Sequence, residues 1–208
     1  LSKKIDSIAK PTEELAAQIG ELIEATQSTV SLLGQTQPKS DKSNFVIPDT
    51  SAASQALTLE TLCMLHRALM VDYPQGVSIG TFRMHPVWIG SPGSTPDTAT
   101  YVPPSPELVP SLTAKLLDDW RSSYSTLAKE GTPEQIISKM TEFHHQFLKI
   151  HPFLDGNGRL ARFLLMQQAS ELLNHIRRIV LEDRKPYFDA LALADKGDMS
   201  ALQAILTQ

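Results

Sequence analysis

From Gly158 to Leu173 the chain carries apolar side chains on most faces of a helix, among them Leu160, Phe163, Leu164, Leu165 and Met166. A surface helix keeps one polar face, so this pattern predicts a central helix covered on all sides by neighbours. The rest of the chain must supply that cover. Leu59, Leu62, Leu65 and Leu69 mark one amphipathic helix, and Pro106 to Lys129 marks a second that carries Leu112, Leu116, Trp120 and Leu127. Ile136, Met140, Phe143, Phe147 and Ile150 recur with a period of about 3.6 and predict a third helix that ends at the edge of His151. Pro186 to Gln208 reads as one or two short helices broken near Gly197.

One segment departs from helical patterning. Between Ile79 and Tyr101, Phe82, Val87, Trp88 and Ile89 favour extended structure, while Pro86, Gly90, Pro92, Gly93 and Pro96 punctuate it. The expected fold class is therefore all-α with a short β-hairpin flap. Upstream, Thr12 to Leu33 reads as a further helix, with Thr12 as N-cap and Leu15, Ile19, Leu22 and Ile23 as its stripe. Gly34 is a suitable C-terminal stop. Gln35 to Ser54 is rich in Ser, Thr, Asp, Lys and Pro. This predicts an N-terminal helical arm over 1–34, a linker over 35–55 and a core over 56–208.

Composition narrows the function classes. With 208 residues, 41% hydrophobic and 20% charged, the chain suits one globular domain with an appended arm. The balance of 19 basic and 23 acidic residues, net −4, argues against a broad nucleic-acid-binding face. No apolar run is long enough to span a bilayer and no secretory pattern opens the chain, so neither nucleic acid nor membrane is an expected partner. The first residue is Leu1, not Met, which reads as a trimmed start, and the default expected location is the cytoplasm. Cys63 is the only cysteine, so no intramolecular disulfide forms; it reads as a small buried apolar group.

The chemistry concentrates in HPFLDGNGRLAR, His151 through Arg162. This stretch leaves one helix, turns through Pro152, Asp155, Gly156 and Asn157, and enters the buried helix at Gly158. Backbone N–H groups at a helix start lack intrahelical partners and, with the helix dipole, form an anion site. Gly156 and Gly158 allow close approach of backbone to an anion. Arg159 and Arg162 share one helix face and can fork onto phosphate oxygens. Asp155 offers a hard carboxylate beside the phosphates, where Mg²⁺ is commonly held. His151 is suited to accept a hydroxyl proton near neutral pH. Taken singly, each of these residues has an ordinary turn or surface explanation; the set does not. Phe153, between polar neighbours, reads as the anchor of the loop in the core.

HPFLDGNGR followed by Arg162 matches the signature of the Fic family without departure, and the chain resembles that family from about Leu57 to its end. Gly80–Gly90 (GTFRMHPVWIG), Val102-Pro103-Pro104 and Tyr187–Asp198 (YFDALALADKGD) carry the likeness further. The resemblance implies the mainly helical Fic fold and transfer of AMP from ATP to a Tyr, Thr or Ser hydroxyl of a target protein. In it His151 is the base and Asp155 the Mg²⁺ ligand. Gly156, Asn157 and Gly158 line the anion nest, and Arg159 and Arg162 meet the β and γ phosphates. Phe188, Leu191 and Asp195 align with the adenine pocket, and Val87, Trp88 and Ile89 form a flap that docks the target backbone as an added strand. A relative that phosphorylates its target carries Lys where this chain has Gly158, so Gly158 favours AMP transfer. Self-modification and a homodimer are further associations to be expected.

Many Fic proteins are held inactive by a helix bearing Ser or Thr, three residues, then Glu and Gly or Asn. Ile23–Gly34 (IEATQSTVSLLG) resembles such a helix, with Leu33 where the Glu would stand. A leucine cannot pair with Arg162, so inhibition in cis is expected to be weak and AMP removal disfavoured. The plain alternative is that Leu33 and Gly34 merely close an amphipathic helix. Thr126–Gly131 (TLAKEG) fits the same short pattern at the end of a core helix, where coincidence is the expected explanation. Three rival functions stand beside AMP transfer: a metal site on His144, His145 and His151, a nucleotide-binding module without turnover, and an enzyme using another nucleotide donor. His66, His85 and His175 read as isolated structural or surface residues.

Overall fold

The computed structural model describes residues 54–70, 78–173 and 184–206. All of these residues fall in one compact unit, Pro48–Gln208. The predicted N-terminal arm, Leu33 with it, and nearly all of the predicted linker lie outside the described residues. Within them the elements are α1 (Leu59–Leu69), a single 3₁₀ turn (Pro106–Leu108), α2 (Val109–Glu130), α3 (Pro133–Ile150), α4 (Asn157–Leu173), α5 (Arg184–Ala194) and α6 (Ser200–Leu206). The fold is mainly helical, as its patterning predicts.

Local chemistry accounts for the boundaries. Thr58 caps α1 and Thr132 caps α3, each through a reciprocal capping box, with Pro133 at the first turn of α3 where its missing N–H costs nothing. Pro106 opens the 3₁₀ turn that leads into α2. Gly197, at φ +96, separates α5 from α6.

α4 is the centre. No residue of Asn157–Leu173 is exposed; Leu160, Leu164 and Leu165 are buried, while Phe163 and Met166 are half-buried. α3 and α1 both pack on α4, α2 packs on α3 and α1, and α6 closes against α3 and α5. Trp120 of α2 meets Phe143 of α3 edge to face at 5.4 Å, joining those helices by a contact that burial alone would not orient. Toward the far end of α4, Glu171 accepts the Ser54 N–H at 3.0 Å and the Tyr124 hydroxyl at 3.2 Å, fixing the chain just before α1.

The flap is more sparsely paired than a hairpin ladder. Among the described residues its extended pairing is a single antiparallel bridge, Ile89 with Tyr101, in which the Ile89 N–H donates to the Tyr101 carbonyl at 2.9 Å and the Tyr101 N–H returns the bond at 3.1 Å. The intervening turns are held by short side-chain bonds, such as the Trp88 indole N–H to the Ser94 carbonyl at 2.6 Å. The prolines and glycines of this segment withhold the donors and the rigidity that a longer ladder needs. Among the described residues no helix is long and apolar enough to cross a membrane.

Candidate functional site

The site is built where α3 stops. Its last turn would continue past Ile150, but His151 adopts φ 51 and ψ 60, and its N–H donates back to the Phe147 carbonyl at 3.0 Å. This left-handed cap is normally a glycine's position. Among the described residues His151 is the only non-glycine with positive φ, a conformation that costs about 1–2 kcal/mol for a residue bearing Cβ. Pro152 then prevents any return to the helix.

The loop is anchored from beneath. Phe153 is 0% exposed and stacks on the His66 ring at 3.8 Å with planes 3° apart. His66 Nδ1 accepts the Gly80 N–H at 2.9 Å, which leaves Nε2 to donate to the Asp155 carbonyl at 2.9 Å. Burial lowers the His66 pKa, so the ring is held neutral in that tautomer. Asn157 is only 2% exposed: its Oδ1 accepts the Phe153 N–H at 2.9 Å and its Nδ2 donates to the Phe153 carbonyl at 2.8 Å. The Asn157 side chain clamps the turn from inside and does not face the cleft; only its backbone belongs to the nest.

Gly156, at φ +77, turns the chain into α4. Its N–H donates to Asp155 Oδ1 at 2.6 Å. The first intrahelical bond of α4 is the Leu160 N–H to the Gly156 carbonyl at 3.0 Å. The N–H groups of Asn157, Gly158 and Arg159 therefore have no intrahelical partner, and with the dipole of α4 they make a nest of the kind that suits an anion. Arg159 Nη1 donates to the Leu69 carbonyl at the end of α1, at 2.9 Å, which fixes its stem beside the nest.

These groups open on one cleft of about 680 Å³, a volume ordinary for a cofactor-sized ligand. It brings together His151, Asp155, Gly156, Gly158, Arg159 and Arg162 with Ile89 of the flap and Phe188, Leu191 and Asp195 of the tail. Val87 and Trp88 stand outside its lining. Phe188 is 56% exposed although aromatic, which sets it apart from a core residue. Asp195 Oδ1 takes the buried His145 Nε2 at 2.9 Å and Lys149 Nζ at 3.6 Å.

Electrostatics separates the histidines. Burial lowers the His151 pKa to about 4, contact with the Leu148 backbone opposes that shift, and the Arg83 charge adds to it. His151 is thus neutral across the physiological range, with Nδ1 buried and Nε2 the nitrogen that an approaching group can reach. His144 is likewise pushed to about 4 by burial, and its Nε2 lies 2.7 Å from the hydroxyl of Tyr187, whose pKa burial raises to about 12. His144 and His145 thus point at Tyr187 and Asp195, not at each other. Among the described residues no cluster of three His, Cys, Asp or Glu side chains could hold a metal, which removes the histidine-triad alternative there. Glu130 of the TLAKEG stretch is exposed on a separate surface groove between α2 and α3.

Sequence reasoning missed two residues that shape the site, His66 and Arg83. Both are buried polar side chains whose partners lie in distant segments; Arg83 falls within Gly80–Gly90, a stretch that carries the family likeness and could have pointed to it, whereas no pattern marks His66.

A model of the Fic/DOC family matches residues 56–169. A "Probable protein adenylyltransferase" of Aquifex aeolicus is 31% identical over 107 residues, covering 51% of this chain and 30% of that protein. "Protein adenylyltransferase Fic" of Drosophila willistoni is 28% identical over 145 residues, covering 69% of this chain and 26% of that one. The chain therefore spans under a third of the length of these relatives. Among solved structures, a Fic family protein from Desulfovibrio desulfuricans G20 aligns with a TM-score of 0.54 at 27% identity, over 76% of this chain and 47% of that one.

Proposed function

The chain belongs to the Fic/DOC family, and we propose that it is a protein adenylyltransferase, moving AMP from ATP to a Tyr, Thr or Ser hydroxyl of a target protein with release of pyrophosphate. One observation carries the reading: a neutral histidine with one reachable nitrogen and an N-terminal helix nest flanked by two arginines open on the same cleft. The relatives named as adenylyltransferases support it.

The steps assigned to the chain's own groups are few. The target hydroxyl gives its proton to His151 Nε2 as its oxygen attacks the α-phosphorus, and the bond to the pyrophosphate oxygen breaks. Nest N–H groups, Arg159 and Arg162 bind the phosphates and stabilise charge that develops on them, where alignment and preorganised donors do most of the work. Phe188 offers a face for the base, with Leu191 beside it and Asp195 as an acceptor at the rim. Asp155, exposed on the cleft's edge next to the nest, fits Mg²⁺, which usually takes one or two carboxylates and completes its shell with phosphate oxygens and water. When bound, the ion would neutralise phosphate charge.

The flap suits a peptide backbone. Both bridge bonds of Ile89 point toward Tyr101, so strand alternation turns the backbone of Trp88 and Gly90 the other way, and among the described residues neither has a backbone partner there. Gly158 bears on the donor's orientation: a Cβ there would lie 3.4 Å from Arg162 Nη1, and a longer side chain would crowd that arginine.

Incubation with a cell extract and either α-labelled or γ-labelled ATP tests the reading. Protein-bound label from the α position alone is expected, on extract proteins and on the enzyme itself if it modifies itself. Label from the γ position would replace the reading with phosphorylation, and no protein-bound label from either would end it.

The pH profile follows from His151. The base works only when neutral, so kcat/KM falls as pH drops through its free-enzyme pKa. That value is about 4 instead of the ordinary value of about 6.5. The acid limb is therefore expected near pH 4, with activity level from pH 6 upward. The unfolded chain protonates His151 and His144 first as pH falls below about 6.5, so fold stability declines over that window and must be followed by circular dichroism in parallel. An acid limb near 6.5 in folded protein would contradict the buried base.

A further inference from the structure

Arg83 is 2% exposed and has no carboxylate partner among the described residues. A buried cation needs compensation, and here carbonyls supply it. Nε donates to the His151 carbonyl at 2.8 Å and Nη2 to the Ile150 carbonyl at 3.3 Å, which places the charge at the negative end of the α3 dipole. Nη2 also donates to the Pro104 carbonyl at 2.6 Å and Nη1 to the His85 carbonyl at 3.2 Å. The Arg83 backbone N–H closes the set on the Pro152 carbonyl at 2.9 Å. His85 and Pro104 lie on the two stems of the flap, beyond either side of the Ile89–Tyr101 bridge.

The physical problem these bonds solve is specific. A left-handed helix cap is ordinarily glycine, but the base cannot be a glycine, so His151 must be held in a strained conformation from outside. The planar guanidinium fork can meet several carbonyls at once, which a lysine's single ammonium cannot reproduce. We propose that Arg83 is the positioning residue of this site: it locks His151 in its left-handed conformation and ties both flap stems to the base, so that a docked target backbone delivers its hydroxyl in register with Nε2. This rests on the adenylyltransferase reading for its consequence in catalysis, though not for the lock itself.

Arg83→Met and Arg83→Lys test it, the second retaining charge without the fork. Both are expected to lower kcat for AMP transfer about 100-fold, the scale of an ångström's misplacement, while KM for ATP stays near wild type because the nest is untouched. On a His151→Ala background either substitution should lower the residual transfer far less than about 100-fold, since Arg83 acts mainly through His151. Independently of turnover, the His151 ring Cε1–H resonance should shift or broaden in both variants. An unchanged His151 resonance overturns the proposal, as does wild-type kcat in folded variants or a further loss of about 100-fold on the His151→Ala background. If Arg83→Met does not fold, Arg83→Lys carries the same readings. If wild type transfers no AMP, the functional reading fails while the ring resonance still decides the Arg83 assignment.

Discussion

His151→Ala is expected to lower AMP transfer by about 10²–10⁴ while leaving Mg·ATP bound. The residue sits at the cap of α3, and neither the nest N–H groups nor the Arg159 bond to Leu69 depends on its ring. Loss of a positioned base typically costs about 10²–10⁴ in rate, and the remaining acceleration should come from the phosphate cradle. Alanine meets the same left-handed strain as histidine, so the fold should be little altered. Label transfer from α-labelled ATP measures the first expectation and calorimetric titration with Mg·ATP the second. Equal transfer by wild type and variant would remove His151 from its role; lost binding with lost transfer would mean that the ring supports the cleft structurally.

Gly156→Ala should do the opposite and disable binding first. At φ +77 any L side chain is strained, and an added Cβ would stand 2.7 Å from Met70 Sδ and 3.0 Å from His66 Nε2. Met70 can bend away. His66 cannot, because it is stacked on Phe153 and bonded at both nitrogens. Backbone strain and overpacking together cost about 2–5 kcal/mol, borne by the turn that shapes the nest. Since about 1.4 kcal/mol is tenfold in affinity, ATP binding should weaken at least tenfold and the melting temperature should fall. Gly158→Ala is the control: its φ is not positive and its Cβ would meet only Arg162 Nη1, at 3.4 Å. Wild-type ATP affinity in Gly156→Ala, or equal losses in the two variants, would show that the turn is not held as its contacts imply.

Much of this protein was legible in one dimension. The helices α1 to α4 follow from apolar spacing and caps that are local properties of a few turns, and the end of α3 at His151 follows from Pro152. The helix-loop-helix form of the stretch from His151 to Arg162 is legible for the same reason, since it is assembled within consecutive residues. Glycine at 156 and 158, a carboxylate at 155 and arginines one turn apart carry their chemistry in the spacing.

The tertiary structure alone decided what holds that loop in place. Arg83 reaches His151 across 68 residues and His66 reaches Asp155 across 89, and no local pattern distinguishes a buried, satisfied polar side chain from a solvated one. The inward turn of Asn157 was undecided for a related reason: its amide can satisfy a ligand or the Phe153 backbone, and the packing of Phe153 on His66 selects the second. The flap's single bridge joins Ile89 to Tyr101, twelve positions on, and which residues pair across such a gap is likewise a matter of tertiary structure. Local periodicity and consecutive spacing therefore determined the helices and the turn between α3 and α4, whereas contacts between distant segments determined how the loop that carries His151 is held.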